Sequence, residues 1–377
     1  MKIGVDVAQT SAQRAGCAWY ADALARALVD IARPAGHSFV LYHQFGDWIN
    51  GQPGHGTYLT GGDIEMPMRS MLPVPARALW REIENGTASL PGEPDVVIAS
   101  SFHAPRVTPA KLIYVIHDLV FWTHPDFATD ATRVVCQREL GQAIAQGSAL
   151  AFVSEATKRD FEAFLPGWLE TSGTPHAIAC GASRWPIHEP SKPRGPDAPW
   201  LMVGSIEPRK NHLCALDAYE IYHAKSVAPR PLHIVGGRGW HSEPIHDRIT
   251  AMSARGLPVH YLGYINESTL RSAYQEAFAL LQPSWHEGFG LPVLEAFSQS
   301  LPVIASDRAS LPEVSDGAAI HCPPHDSKLW AEKMLQLEQD STLQQRLVRD
   351  GLQRASYYSW GKTAKTVLEL AEDIRVT

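Results

Sequence analysis

The chain has 377 residues, 45% of them hydrophobic and 19% charged, which suits a globular protein with more than one apolar core. Its formal charge of −7 supplies no overall basic field for phosphate backbones and argues against general nucleic-acid binding. Five scattered cysteines (Cys17, Cys136, Cys180, Cys214 and Cys322), never spaced as CxxC, fit a reduced cytoplasmic protein better than a disulfide or zinc framework.

The opening MKIGVDVAQT turns polar too soon for a signal peptide, and no run approaches the roughly 20 apolar residues of a membrane span. In chain order, KIGVDVA (2–8), HSFVLYH (37–43), DVVIAS (95–100), KLIYVIHD (111–118), ALAFVSE (149–155) and HAIACG (176–181) are strand-like. Between them, 17–32 and 128–145 carry apolar residues at helical spacing. Near-continuous apolar strands separated by helices indicate a parallel sheet covered on both faces. MPMRSMLPVPARALWREI (66–83) mixes Met, Leu and Trp with Arg69, Arg77 and Arg81. It reads either as a helix lying on a membrane surface or as a packed helix with a solvated edge.

PIHEPSKPRGPDAP (186–199), with five prolines, breaks the rhythm as an interdomain linker would. The pattern then restarts with WLMVGS (200–205), LHIVGG (232–237), VHYLG (259–263), ALLQPS (279–284), PVIAS (302–306) and AAIHC (318–322). The expected domains are 1–190 and 191–358, each doubly wound α/β. A closing segment, 359–377, would be a helix packing back on the first domain. Two such domains leave a cleft at the carboxyl ends of their strands, where open α/β sheets bind ligands.

Several constellations fall at those strand ends. In HEGFGLPVLEAF (286–297), Gly288 and Gly290 permit a tight turn and Pro292 suits the first turn of a helix. The amides of Phe289, Gly290 and Leu291 would then offer a phosphate site backed by the helix dipole. Glu287 and Glu295 could accept hydrogen bonds from vicinal hydroxyls, or be a surface turn and a solvated helix residue. In VGSIEPRKNHLCALDAY (203–219) a strand ends at Gly204, Arg209 and Lys210 follow on a loop with Glu207, and Asn211 can cap the next helix. Arg offers a fork for phosphate oxygens and Lys a point charge.

In YVIHDLVFWTHPDF (114–127), His117 and Asp118 end a buried strand. The pair reads as a base and its orienter, His117 alone as a partner for a substrate hydroxyl or as a satisfied core histidine. His124 and Pro125 read as loop structure. Gly16, next to the start of the first helix, would allow close backbone approach. IVGGRGWH (234–241) lacks the GxGxxG spacing and reads as a turn that puts Arg238 near a ligand; this disfavours an NAD-dependent oxidoreductase. Glu313 in SDRASLPEV reads as structural. No cluster has zinc-ligand spacing. Fixed cations, a helix dipole and hydroxyl-binding carboxylates describe a nucleotide-sugar site.

GSIEPRKNHLCALDAY and the run from LGYINESTLRSAY through HEGFGLPVLEAF to LPEVSDGAA, in that order, resemble retaining glycosyltransferases of family 4. Their E-x7-E signature falls on Glu287 and Glu295. The resemblance implies the GT-B fold: two facing Rossmann-like domains, the first for the acceptor and the second for the nucleotide sugar. It implies that Glu295 holds the ribose, Glu287 the donor-sugar hydroxyls, and Arg209 with Lys210 the diphosphate. The amides of Phe289, Gly290 and Leu291 would cradle phosphate, with Gly204 on the same loop as the cations. His117 would contact the donor sugar, and Gly16 would match the first-domain glycine loop, although Ala18 stands where the family often has a second glycine.

The implied activity transfers a hexose with retention, with no cofactor and no metal. HDLVFWTHP and GGRGWH resemble bacterial enzymes that use GDP-mannose in polysaccharide assembly, with a UDP-sugar as the other donor. The acceptor would be a glycan or a polyprenyl-linked glycan at the inner face of the cell membrane. A nucleotide-sugar epimerase and a hinged sugar-binding protein are the competing readings.

Overall fold

Runs of Val, Ile, Leu and Phe with no polar alternation can be buried only between two layers of helix, and both halves of the chain solve that problem separately. The computed structural model describes residues 1–7, 16–45, 57–107, 109–189 and 194–376. The chain divides into two units, Met1–Gly181 with Ser359–Thr377, and Ala182–Tyr358.

In the first unit the strands are β1 (Lys2–Asp6), β2 (Ser38–Tyr42), β3 (Ile64–Glu65), β4 (Val96–Ala99), β5 (Lys111–Ile116), β6 (Ala149–Phe152) and β7 (His176–Ile178). They pair in the order β3-β2-β1-β4-β5-β6-β7, every described pair parallel. The order reverses between β1 and β4. Sequence periodicity finds all of these strands but β3, whose two residues are too few to show a period. The helix expected over 128–145 runs from Asp130 to Ala145, because Thr129 caps it by accepting from the Thr132 amide at 3.2 Å.

Segment 66–83 is largely a packed helix. Helix Pro73–Glu84 buries Ala76, Trp80 and Ile83, with Met68 buried just before it, and the Trp80 ring lies 4.6 Å from Phe45. Leu72 and Val74 remain exposed at its start, and the Arg69 guanidinium sits 4.4 Å over the Tyr58 ring. Among the described residues no helix is long and apolar enough to cross a membrane.

The last helix, Trp360–Val376, packs on helix Gly16–Ala32. Ala364, Val367, Ala371 and Ile374 recur at helical spacing and are buried, as is Leu370. The Thr363 hydroxyl donates to the Cys180 carbonyl, and the Trp360 ring lies 5.3 Å from Tyr20. The C-terminal segment therefore completes the core of the unit that the N-terminus began.

The second unit holds β8 (Trp200–Val203), β9 (Leu232–Val235), β10 (Val259–Gly263), β11 (Ala279–Gln282), β12 (Val303–Ser306) and β13 (Ile320–Cys322). All are parallel, in the order β10-β9-β8-β11-β12-β13, so the reversal here falls between β8 and β11. Trp200, Tyr219, Tyr222 and Trp330 are fully buried in its core.

The boundary precedes the expected 190/191 division, and the physical reason is a seam of hydrogen bonds. Ser183 meets Ser298 at 2.8 Å, the His188 amide donates to the Ser298 carbonyl at 2.7 Å, and Gln299 donates to the Pro186 carbonyl at 3.1 Å. Arg194 reaches the carbonyls of Gln299 and Ser300. The described part of the proline-rich stretch is thus bound to the second unit along its length, not a free linker.

Replacing Leu370 with Ala is expected to cost about 2–5 kcal/mol in chemical denaturation, as for other buried leucines. Hydrogen exchange should then show lost protection in helix Gly16–Ala32 and unchanged protection in strands β8 to β13. Loss confined to the second unit would contradict this assignment of the last helix.

Candidate active site

Because β8 and β11 are neighbours at the reversal of strand order, the loops leaving their carboxyl ends lie side by side. The Trp285 amide donates to the Arg209 carbonyl at 2.9 Å and ties the two loops together. A third loop braces the first. Gly236, at φ 156°, is packed so tightly that a Cβ there would come 1.8 Å from the Gly204 carbonyl oxygen. A Cβ on Gly239 would lie 2.8 Å from that of Ile206. The Ile206 amide donates to Gly237 at 2.9 Å and the Gly239 amide back to Ile206 at 3.0 Å. GGRG is therefore a backbone-to-backbone support for the cation loop. Gly204, itself at φ 150°, lies against the aliphatic stem of Lys210.

Asn211 begins helix His212–Lys225, but its side chain does not cap that helix as expected. The residue sits in the left-handed region at φ 57°, and its amide donates to the carbonyls of Pro283 at 3.0 Å and Pro324 at 2.6 Å. It locks the end of the cation loop to the β11 loop instead. His212 beside it is buried; burial first, and Lys210 next, push its imidazole down to about 3, so it stays neutral.

Arg209, Lys210 and Glu287 meet in one ionic cluster. Lys210 Nζ lies 2.6 and 2.9 Å from the two carboxylate oxygens of Glu287. Arg209 Nη1 donates to Glu287 Oε2 and to the His286 carbonyl, both at 2.9 Å. Its Nε and Nη2 reach Glu207 Oε1 at 3.0 and 2.7 Å. The two cations are thereby matched by the carboxylates of Glu207 and Glu287. Behind Glu287, Gln282 Nε2 donates to Oε1 at 2.9 Å and Ser284 Oγ to the same oxygen at 2.7 Å.

Burial by itself would raise the Glu287 carboxyl. Lys210 and then Arg209 outweigh that effect, and hydrogen bonds from Lys210 and Ser284 add to them, so the group is held well below the usual carboxylate range.

The expected turn follows directly. Gly290, at φ 109°, precedes helix Leu291–Ser298 with Pro292 in its first turn. Among the described residues, none of the amides of Phe289, Gly290 and Leu291 donates to a backbone carbonyl. The Ser310 hydroxyl lies 2.8 Å from the Glu287 carbonyl and 2.7 Å from that of Phe289, so the carbonyls of the turn are drawn toward the β12 loop. Glu313, on that same loop, lies in the short helix Leu311–Ser315, and its carbonyl accepts from Arg354 at 2.7 Å.

Glu295 lies one turn into helix Leu291–Ser298. It is 2% exposed, Oε1 takes Arg184 Nε and Nη2 at 2.7 Å each, and Oε2 takes the Tyr274 hydroxyl at 2.9 Å. Burial, with the Glu295 charge, pushes the Tyr274 phenol well above its ordinary value and keeps it a donor.

The remaining sequence candidates belong to the first unit. His117 follows β5, and its Nε2 lies 2.8 Å from the Ser100 carbonyl, which only a protonated Nε2 can satisfy. Its ring packs at 5.1 Å against Tyr20 and 5.2 Å against Phe102. Burial lowers its pKa against the opposing pull of the Ser100 carbonyl and Asp118. Asp118 does not orient it through a hydrogen bond: its carboxylate accepts from the Val120 amide at 3.2 Å and starts a short helix. The His124 ring stacks on Phe127 at 5.4 Å, as a loop reading expects. Gly16 opens helix Gly16–Ala32, while the rest of its loop, 8–15, lies outside the described residues.

Sequence reasoning passed over Gln282, Ser284, Ser310 and Arg184. The signal for the first was present: a glutamine closing the apolar strand ALLQ needs a buried partner.

Residues 183–354 match the glycosyl transferases group 1 family. Over 160 residues the chain is 35% identical to O-antigen chain mannosyltransferase B of Escherichia coli, covering 42% of each protein. It is 32% identical over 140 residues to O-antigen chain mannosyltransferase RfbU of Salmonella typhimurium, covering 37% of this chain and 38% of that one. The aligned region therefore spans less than half the length of these relatives. Among solved structures, sucrose-phosphate synthase from Thermosynechococcus elongatus superposes with a TM-score of 0.67 at 18% identity, covering 99% of both chains. That likeness establishes the two parallel-sheet domains as the GT-B fold. Residues 183–354, in the second unit, are thus a glycosyl transferases group 1 domain.

Proposed function

We propose that the chain is a hexosyltransferase that moves mannose from GDP-mannose to a glycan or polyprenyl-linked glycan, with retention and without a metal ion. The observation that carries this reading is the meeting of Lys210 and Arg209 on Glu287, two residues before the turn Phe289–Leu291, at the carboxyl ends of the neighbouring strands β8 and β11. A leaving diphosphate needs its growing charge neutralised, and fixed cations with a helix N-terminus do that without reorganisation. The Lys210 ammonium has three N–H donors and can keep Glu287 while taking a phosphate oxygen. The turn amides, not spent on backbone carbonyls, would take others. The departing phosphate oxygen would accept the proton of the incoming hydroxyl, so no protein base is required.

Mannose is favoured because the two bacterial relatives above are mannosyltransferases by name. UDP-glucose is the alternative donor. Glu295, with Arg184 at Oε1 and the Tyr274 hydroxyl at Oε2, would meet a ribose hydroxyl through the remaining lone pair of Oε2. A polyprenyl-linked acceptor would bring the protein to the inner face of the cell membrane. His117, with Nε2–H on the Ser100 carbonyl, would offer Nδ1 to a donor-sugar hydroxyl.

A transfer assay over a panel of GDP- and UDP-sugars, with lipid-linked glycan acceptors, tests the reading. GDP-mannose is expected to be the best donor. Arg209→Ala and Lys210→Ala should each lower turnover by about a hundredfold or more. Wild-type rates in either variant, or no transfer from any donor, would refute the assignment.

His117 provides a separate check through pH. Its folded pKa lies below 6.5, so the neutral ring persists down to that value and protonates only beneath it. If neutral Nδ1 is needed, kcat/KM should show no His117-dependent fall between pH 8 and about 6.5, the ordinary imidazole value, and decline below it. A fall centred above 6.5 that vanishes in His117→Asn would contradict this.

A further inference from the structure

The loop that leaves β4 holds a phenylalanine in a conformation that phenylalanine avoids. Phe102 lies at φ 60°, the one large apolar side chain among the described non-glycine residues at positive φ. A bulky residue is strained there, and such strain persists only where the surroundings fix it. Resting on the transfer reading above, we propose that Phe102 is a platform for the acceptor: its ring stacks on the apolar face of the acceptor's terminal pyranose, beside His117.

The bracing of the loop is the first support. Glu139 and Gln142 of helix Asp130–Ala145, with Gln146 just after it, reach the backbone that follows Phe102. Glu139 Oε2 accepts from the Ala104 amide at 2.9 Å and lies 2.6 Å from His103 Nδ1. Gln142 donates to the Ala104 carbonyl at 2.8 Å and Gln146 to that of Pro105 at 3.0 Å. Before Phe102, the Ser100 hydroxyl donates to the Asp6 carbonyl and the Ser100 carbonyl takes His117 Nε2, both at 2.8 Å. The chain is thus fixed on both sides of Phe102, and the loop, not the residue's own preference, sets its conformation.

Position is the second. Strand order in the first sheet reverses between β1 and β4, and open α/β sheets bind ligands beyond the carboxyl ends of their strands at such a reversal. Phe102 follows β4 there, and its ring lies 5.2 Å from that of His117, which follows β5. Both rings keep some exposure, while Ser100, Ser101 and His103 are buried. His117 would offer Nδ1 to a hydroxyl of the transferred sugar, and the molecule next to that sugar in the reaction is the acceptor.

Ring chemistry is the third. A phenyl group offers no N–H or O–H to a phosphate, but its face carries partial negative charge and attracts C–H groups. A pyranose presents several C–H groups on one face. Stacking therefore grips a sugar without occupying its hydroxyls, and the attacking hydroxyl stays available.

Kinetics of transfer set against donor binding test this. Initial rates with GDP-mannose as donor and mannobiose as acceptor, and Kd for GDP-mannose by calorimetry, would be measured for the wild type, Phe102→Tyr, Phe102→Leu and Phe102→Asn. UDP-glucose replaces GDP-mannose if it binds better. Phe102→Leu and Phe102→Asn are expected to raise KM for mannobiose about tenfold while Kd for the donor stays within about twofold. Phe102→Tyr keeps the ring and should stay near the wild type. Asparagine adopts the left-handed conformation readily, so Phe102→Asn carries the comparison if Phe102→Leu fails to fold.

A ring that only fills space would leave KM for mannobiose at the wild-type value in Phe102→Leu, and that result overturns the inference. A tenfold loss of donor affinity with KM for mannobiose unchanged would put the ring against the donor and overturn it equally. A wild type that releases GDP from GDP-mannose but forms no product with mannobiose removes this inference alone. One that binds neither donor removes the transfer reading with it.

Discussion

A carboxylate stays ionised in a protein interior only where cations or hydrogen-bond donors are brought to it, and the second unit meets that requirement at Glu287. Lys210 and Arg209 are supplied by the β8 loop, Gln282 and Ser284 by β11 and its loop, and all reach the same two oxygens. Taking away one member of such a buried pairing typically costs about 3–5 kcal/mol, because the other is left desolvated and alone. The cluster therefore fixes the relative position of two loops that no strand pairing connects beyond the sheet edge. It works only because the strand order reverses between β8 and β11, which brings those loops together.

Backbone packing supplies what side chains do not. The cation loop has to pass close to the loop after β9, and the contact is between main chains: Gly236 against the Gly204 carbonyl, Gly239 against that of Ile206. A side chain at Gly236 would displace the strand end that carries Arg209 and Lys210. Asn211 closes the other end by adopting a left-handed conformation and donating to two proline carbonyls.

The strands were legible because twelve of the thirteen described ones have three or more residues and lie in mostly apolar stretches, a pattern that survives without any tertiary information. β3, with two residues, is held by its neighbour β2 and has no signature of its own. The cation loop and the glycine turn were legible because glycine, proline and paired basic residues at a strand end have few other uses. What stayed hidden was how the groups pair. Asn211 looked like a cap because asparagine before a helix usually is one; the proline carbonyls that outcompete that role lie far away in sequence. Asp118 looked like an orienter for His117 because it is adjacent, yet adjacent residues on a strand end point apart, and its carboxylate serves the next turn instead. The boundary near 181 was masked by prolines, which suggest a free linker, while the hydrogen bonds that bind the segment to the second unit use serine, histidine and arginine at unremarkable spacing.

The two glutamates of HEGFGLPVLEAF show why motif spacing alone does not assign roles. Both are almost wholly buried and both accept from protein donors, but what they hold differs. Glu295 holds Arg184 and Tyr274, the first from the segment that opens the second unit and the second from helix Glu267–Glu276, so it fastens the start of the unit to its core. Glu287 holds cations that a phosphate could also hold. That difference has a consequence for anion binding. With Glu207 and Glu287 balancing Arg209 and Lys210, the cluster presents little net charge at a distance, so it would not draw in phosphate by a long-range field. Selectivity must then come from short-range exchange: an anion gains at this site only if it can share Lys210 with Glu287 and take the turn amides at the same time. A diphosphate would have enough oxygens to do both, whereas a chloride would not, and a balanced cluster would thereby discriminate by geometry where an unbalanced one would attract any anion.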